Sequence, residues 1–175
     1  VIANYGGKFT DVTFRGNHTE TGDGGAIYNS SSLEITCTSN VFNRNYVSGD
    51  SSTGGTIYSY SNLSISNAVF TRDDDKTPDA NQGGAIFTNS RGRASLNLTK
   101  VSFDNLYAAA SGGAVMSNYG GTFTDVTFRG NHTETGDGGA IYNSSSLEIT
   151  GTSNVFNRNY VSGDSSTGGT IYSYS

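Results

Sequence analysis

The sequence predicts an all-β fold, a parallel β-helix or β-solenoid of about six coils. Two observations predict it. Six Gly-Gly motifs recur at intervals of 26 to 30 residues, and three short segments with strand character fall within each period. No stretch shows the apolar spacing of a helix. Because the same three short strands return once per period, each period predicts one coil that pairs with the coils before and after it.

A longer repeat contains the shorter one. Residues 1–61 align with residues 115–175 and are identical at 57 of 61 positions. The unit is therefore 114 residues long, with a full unit at 1–114 and a partial second unit at 115–175. We expect residues 1–175 to form one continuous solenoid, cut from a longer tandem array. Four positions differ between the copies: Ile2/Met116, Ala3/Ser117, Lys8/Thr122 and Cys37/Gly151.

The first strand of each coil follows the Gly-Gly motif. Glycine allows a positive φ at a corner where a Cβ would clash, and the β-branched residue two positions later suits a stacked, dry interior. The glycines are Gly24, Gly25, Gly54, Gly55, Gly83, Gly84, Gly112, Gly113, Gly138, Gly139, Gly168 and Gly169. The expected internal column is Ile27, Ile57, Ile86, Val115, Ile141 and Ile171.

The second and third strands carry their own apolar columns. Alternating pairs such as Leu33 and Ile35 predict the second strand. The third strand predicts an aromatic stack of Phe14, Phe42, Phe70, Phe103, Phe128 and Phe156. An asparagine three residues after the phenylalanine predicts a turn and an amide ladder between coils, formed by Asn17, Asn45, Asn131 and Asn159. Asp73 and Leu106 interrupt that ladder.

Composition limits the function. A net charge of −5 argues against binding to nucleic acid, which needs clustered Lys and Arg. No apolar run is long enough to cross a bilayer, so we expect no membrane insertion in this segment. Cys37 is the only cysteine, so no disulfide forms within the chain, and we interpret it as an incidental small residue. Six Asn-x-Ser/Thr sequons permit glycosylation, but chance predicts a similar number.

Catalytic and metal sites have weak candidates. Asp73, Asp74, Asp75 and Asp79 could hold calcium, but a solvated, charge-rich loop explains them better. His18 and His132 are copies of one another without a second ligand at metal-binding spacing, and we expect exposed turn histidines. We therefore expect no enzyme activity and no cofactor, although a polysaccharide lyase or hydrolase β-helix is a less favoured alternative.

A candidate lateral surface follows the β-branched column by one residue. Alternation places these side chains on the opposite face of the strand, unless a bend turns them inward, and the two alternatives stay open. The residues are Tyr28, Tyr58, Phe87, Met116, Tyr142 and Tyr172.

The alternation of Phe-x-x-Asn with Gly-Gly-Ala-(Ile/Val) resembles the repeats of the chlamydial polymorphic outer membrane proteins and of related surface proteins. The motifs run over the whole chain. The resemblance implies a right-handed β-helix at the cell surface and a role in adhesion. We therefore expect a single-stranded right-handed parallel β-helix in an extracellular or cell-surface protein.

These observations favour a non-catalytic structural or adhesive segment of a long tandem-repeat protein that forms or decorates a fibre or sheath. Its expected partner is itself, end to end and laterally, with a cell-surface glycan or protein as a further partner. The alternative is an autotransporter-type adhesin passenger that binds host cells or glycans without self-assembly.

Overall fold

The computed structural model describes the backbone of residues 2–3 and residues 6–73, 77–89, 91 and 95–174 in full. The described residues contain 22 β-strands and no α-helix. In chain order the strands are β1 Ile2–Ala3, β2 Gly7–Thr10, β3 Thr13–Arg15, β4 His18–Thr19, β5 Ile27–Asn29, β6 Leu33–Thr36, β7 Asn40–Asn43, β8 Tyr46–Val47, β9 Ile57–Ser59, β10 Leu63–Thr71, β11 Ile86–Thr88, β12 Leu96–Asp104, β13 Tyr107–Ala108, β14 Val115–Ser117, β15 Gly121–Thr124, β16 Thr127–Arg129, β17 His132–Thr133, β18 Ile141–Asn143, β19 Leu147–Thr150, β20 Val155–Asn157, β21 Tyr160–Val161 and β22 Ile171–Ser173.

Every strand pairing is parallel and joins one coil to the next. β1 and the six strands that follow the Gly-Gly motifs form a seven-stranded sheet, here sheet A, in the order β1-β5-β9-β11-β14-β18-β22. The second and third strands of each coil share a ten-stranded sheet, here sheet B. The fold is therefore a β-solenoid of about six coils, as the sequence predicts. Parallel crossovers within one sheet are right-handed in nearly all proteins, and we expect that hand here.

The second and third strands meet at a bend. In two central coils they fuse into single nine-residue strands, β10 and β12. The bend residue has a positive φ in every coil: Asp11, Cys37, Asn67, Lys100, Asp125 and Gly151. Cys37, with a φ of 96°, thus occupies a left-handed position that its counterpart Gly151 occupies with a φ of 89°. The thiol of Cys37 is free and exposed.

A fourth ladder completes the coil and was not predicted. Two-residue strands follow the turn after the phenylalanine, and they pair as β4-β8 and as β13-β17-β21. We call these pairings the corner ladder. The sequence gives little sign of it, because two residues are too few to show a period and because tyrosine and histidine alternate within it.

The core is a narrow apolar column between the sheets. Ile57 pairs in register with Ile86, and Val115 with Ile141, and all four side chains are fully buried. The phenylalanine rings stack with centroids 4.5 to 5.5 Å apart, closest between Phe42 and Phe70. Such pairs contribute about 0.5 to 1.5 kcal/mol each beyond area burial. The columns of stacked Ile, Val and Phe side chains therefore form one continuous hydrophobic core along the axis.

Phe123 belongs to the core in a way that the sequence did not signal. It occupies the position of Ile35 and Leu98 in the second strand, and its side chain is fully buried. The preceding Gly121 pairs with Leu96. A Gly-x-Phe segment thus replaces the usual alternating Leu and Ile, which hid this strand from the sequence pattern.

The two glycines of a corner motif have different roles. The first glycine has a φ between 62° and 70°. The second lies against the next coil: a Cβ on Gly113 would lie 2.1 Å from the carbonyl oxygen of Gly139. At the five corners from Gly24 to Gly139 neither position accepts a side chain, so the Gly-Gly motif fixes where the coil turns and how closely it approaches its neighbour.

Candidate functional surfaces

The candidate lateral surface forms a second apolar cluster on the outer side of sheet A. Tyr58 pairs in register with Tyr28 and Phe87, and its ring stacks on theirs with centroids 5.2 and 5.4 Å apart. The cluster is separate from the core. Of the two alternatives that the sequence left open, the structure therefore shows the outward one.

This stripe is not an open surface along its length, which corrects the prediction. Only 4% of Tyr58 and 8% of Phe87 and Met116 is exposed. Tyr60 packs edge-on against Tyr58 with ring centroids 5.0 Å apart, and Asn89 Nδ2 donates to the Tyr58 hydroxyl at 2.6 Å. Burial raises the pKa of Tyr58. Neighbouring side chains thus cover the middle of the stripe.

The ends of the stripe stay accessible. Tyr28, Tyr142 and Tyr172 are half-buried. Tyr174 is half-exposed and lies against the rings of Tyr142 and Tyr172, with centroids 6.0 and 5.7 Å away. Tyr142 and Tyr174 also join through their hydroxyls at 3.3 Å. The accessible part of the predicted lateral surface is therefore a cluster of tyrosines rather than a continuous band.

The histidines belong to the corner ladder. His132 stacks between Tyr107 and Tyr160 with ring centroids 4.2 and 4.8 Å apart, and only 6% of it is exposed. His18 is exposed, but it stacks on Tyr46 in the same manner at 5.0 Å. The prediction of an exposed turn histidine is wrong for His132. The reason is that the residue after the Asn turn begins a strand, so its ring joins a stack.

The acidic loop replaces one rung of the corner ladder. Asp79 is fully buried between the neighbouring strands: its amide donates to the Tyr107 carbonyl at 2.7 Å, and its carbonyl accepts from the Val47 amide at 2.8 Å. Its Oδ2 accepts from the Tyr107 amide at 2.9 Å. The Arg72 guanidinium pairs with Asp79 and lies 5.9 Å from the centroid of the Tyr46 ring. In this coil the corner ladder has Asp79 where its neighbours have an aromatic residue. Arg72 of the same coil contacts the Tyr46 ring instead.

The calcium candidates do not form a cation site among the described residues. Asp79 pairs with Arg72, and Asp73 pairs with Arg44. Asp74 and Asp75 lie outside the described residues. Within the described ranges no group of three or more His, Cys, Asp or Glu side chains could hold a metal ion. Two of the four carboxylates thus each have an arginine partner.

The predicted asparagine ladder is a set of bonds between coils. Asn131 is fully buried, and its Nδ2 donates to Asn159 Oδ1 at 3.0 Å and to the Phe103 carbonyl at 2.9 Å. Asn17 and Asn45 repeat the amide bond at 2.9 Å. Where Leu106 replaces the asparagine, its backbone amide donates to Asn131 Oδ1 at 3.1 Å. The ladder therefore ends on a backbone group rather than on an unsatisfied amide.

The outer side of sheet B carries a different polar surface. In these strands buried residues such as Leu63 and Ile65 alternate with polar residues whose side chains point outward. We call the central set the hydroxyl face; it consists of Ser64, Ser66, Asn97, Thr99, Thr122 and Thr124, in register over three coils. A groove of about 590 Å³ lies over part of it, and a second of about 510 Å³ lies beyond the bend. These residues have no distinct sequence signal, although serine and threonine alternate with leucine and isoleucine in the strands that carry them.

The sequons divide by their burial. Asn29, Asn131 and Asn143 are fully buried in polar columns between coils. Asn17, Asn62 and Asn97 are exposed. A glycan has room at the exposed positions only. At the three buried positions the asparagine side chains instead belong to the polar columns between coils.

Comparison with protein families finds the same repeat at two places in the chain. Residues 11–30 and 125–144 match the Chlamydia polymorphic membrane protein (Chlamydia_PMP) repeat. Each match contains the Phe-x-x-Asn motif, the corner ladder and the Gly-Gly motif, from Phe14 to Gly25 in the first copy and from Phe128 to Gly139 in the second. The resemblance predicted from these motifs is thereby confirmed. The comparisons with curated proteins and with solved structures find no match.

No helix in the described part of the chain is long and apolar enough to cross a membrane.

Proposed function

We propose that this chain is a non-catalytic structural and adhesive segment of a long extracellular surface protein that forms or decorates a fibre or sheath by self-assembly. The observation that carries the proposal is the uninterrupted sheet A, in which every coil pairs in register with the next from Ile2 to Ser173. Repeat matches to a membrane-protein family support the surface location.

The mechanism is geometric. Coils that stack about 4.8 Å apart make a rod of roughly 30 Å from six coils. A unit of four coils repeats the same side chains about every 19 Å along the axis. Contacts that are individually weak then recur at fixed spacing, and simultaneous engagement raises the overall avidity by orders of magnitude. The exposed tyrosine cluster around Tyr174 supplies one lateral contact, whereas its copy Tyr60 in the first unit is half-buried against Tyr28 and Tyr58.

The positions of the reactive side chains support a non-catalytic role. The described part of the chain places His132 in an aromatic stack and pairs Asp79 with Arg72. Asp11 and Asp125 hold turns of the next coil: Asp11 Oδ1 accepts from the Thr38 and Ser39 amides at 3.0 and 3.1 Å, and Asp125 does the same one unit later. These groups are engaged in the coil-to-coil structure.

Negative-stain electron microscopy and sedimentation velocity test the proposal on this chain and on a chain of several 114-residue units. We expect rods that lengthen with unit number and associate as concentration rises. A Tyr174→Glu variant is expected to weaken lateral association, because it places a charge in the exposed tyrosine cluster. A chain that stays monomeric at all concentrations and appears as isolated globules contradicts self-assembly. Saturable binding of that monomer to cell surfaces would instead favour the adhesin alternative.

A further inference from the structure

Most side chains of the hydroxyl face differ from the other polar columns of the solenoid in their hydrogen bonding; the exception is Thr124, whose Oγ1 shares a hydrogen bond with Thr150 Oγ1 at 2.8 Å. Elsewhere the amides and hydroxyls bond from coil to coil, as between Asn29 Nδ2 and Ser59 Oγ at 2.8 Å. On the hydroxyl face, the side chains of Ser64, Ser66, Asn97 and Thr99 make no hydrogen bond to any described residue. Each is exposed or half-buried. Their donors and acceptors are therefore available to a ligand.

The face is also uncharged at its centre. No ionisable side chain belongs to the hydroxyl face as defined, although the chain as a whole carries a charge of −5. The charged residues beside the second groove, Lys100 and Asp125, have opposite signs. At one end of the face Glu34 is paired with Lys8 at 3.3 Å, and at the other end the exposed Glu148 lies in register with Thr122. A neutral surface of hydroxyls and amides complements a neutral ligand, and a polyanion would gain little attraction from it.

The chemistry and the geometry together point to a polymer of neutral sugars. Protein partners bind chiefly through aromatic and arginine anchors in pockets, and the hydroxyl face has neither. Its polar groups instead recur about every 4.8 Å along the axis, close to the length of one sugar ring. The two grooves on sheet B give an extended chain a path across several coils. We propose that the hydroxyl face binds a neutral polysaccharide through hydrogen bonds from Ser64, Asn97 and their neighbours.

Affinity electrophoresis tests this site on the monomeric chain. Native gels would contain one of four neutral polymers, hydroxyethylcellulose, laminarin, galactomannan or dextran, with alginate and heparin as charged comparators. We expect at least one neutral polymer to retard the chain. Thr99→Arg, which places a long charged side chain on the face, should abolish the retardation. Asn97→Ala should weaken binding several-fold by removing a donor and an acceptor. Ser51→Arg, in an exposed turn away from sheet B, is the matched control and should change nothing.

The outcomes separate this proposal from self-assembly. Circular dichroism and thermal melting should be unchanged in all three variants, because each alters an exposed side chain. Retardation by a neutral polymer that disappears in Thr99→Arg supports the site, whether or not the chain forms fibres. The proposal is overturned by retardation only in alginate or heparin, by no retardation, or by neutral binding that Thr99→Arg leaves intact. Loss of self-association in Thr99→Arg without glycan binding would assign the face to a second copy and overturn it equally.

Discussion

Substituting the second glycine of a corner motif tests the reasoning about coil spacing. A Cβ on Gly113 would lie 2.1 Å from the Gly139 carbonyl oxygen and 2.6 and 2.7 Å from the His132 carbonyl oxygen and amide nitrogen. All three atoms are backbone, so they cannot rotate away. The coils must separate locally, which weakens hydrogen bonds such as Gly113 N to Gly138 O at 3.2 Å and Ala114 N to Ala140 O at 3.0 Å.

We expect Gly113→Ala to lower the free energy of unfolding by about 3 to 5 kcal/mol, from overpacking together with about one weakened hydrogen bond on each side. Gly169→Ala is the matched control, because a Cβ there meets nothing within 4 Å. It should change stability by less than about 0.5 kcal/mol. Urea unfolding followed by circular dichroism measures both, and hydrogen exchange locates the loosened coil. Equal effects of the two substitutions would refute the steric argument.

Three further outcomes follow from the structure. Cys37→Gly should stabilise the chain by about 0.5 to 1 kcal/mol, because it relieves a left-handed bend that Gly151 already accommodates; a neutral or destabilising effect in thermal melts contradicts this. Asn131→Ala should lower the free energy of unfolding by about 2 to 3 kcal/mol, and the same change at its exposed copy, Asn17→Ala, by under about 1 kcal/mol. Equal melting temperatures of the two variants would contradict the role of the buried amide ladder. Burial and the hydroxyl bond to Glu134 raise the pKa of Tyr107 to about 12. The resulting contribution to stability is therefore present below pH 10 and is lost as the pH rises toward 12. Tyr107→Phe should flatten that decline, as thermal melting between pH 8 and 11.5 would show.

The strand columns could be predicted because a solenoid repeats its chemistry once per coil. Ile27, Ile57 and Ile86 share a sequence context, and the structure stacks them in register. The same logic could not reach Phe123, since its strand begins with a glycine instead of a leucine. Repetition thus reveals a column only where successive coils keep the same residue type.

The functional surfaces were harder to predict, because they depend on which side chains cover others. Tyr58 lies in an outward column, yet Tyr60 and Asn89 bury it, and neither residue repeats in every coil. His132 was misjudged because its two-residue strand has no measurable period. The hydroxyl face was missed for the opposite reason: serine and threonine are so frequent in this chain that their alternation carried no distinct signal. What separates this face from other polar columns is unused hydrogen-bonding capacity, which only three-dimensional contacts reveal.

The contact between β11 and β14 has a consequence for how such proteins change length over generations. It joins the last coil of one 114-residue unit to the first strand of the next, with Ile86, Phe87 and Thr88 facing Val115, Met116 and Ser117. A recombination event that deletes or duplicates one whole unit recreates this same junction, so the new neighbour arrives already complementary. The encoded solenoids can therefore differ in length by whole multiples of the unit, while the contacts between successive units stay the same.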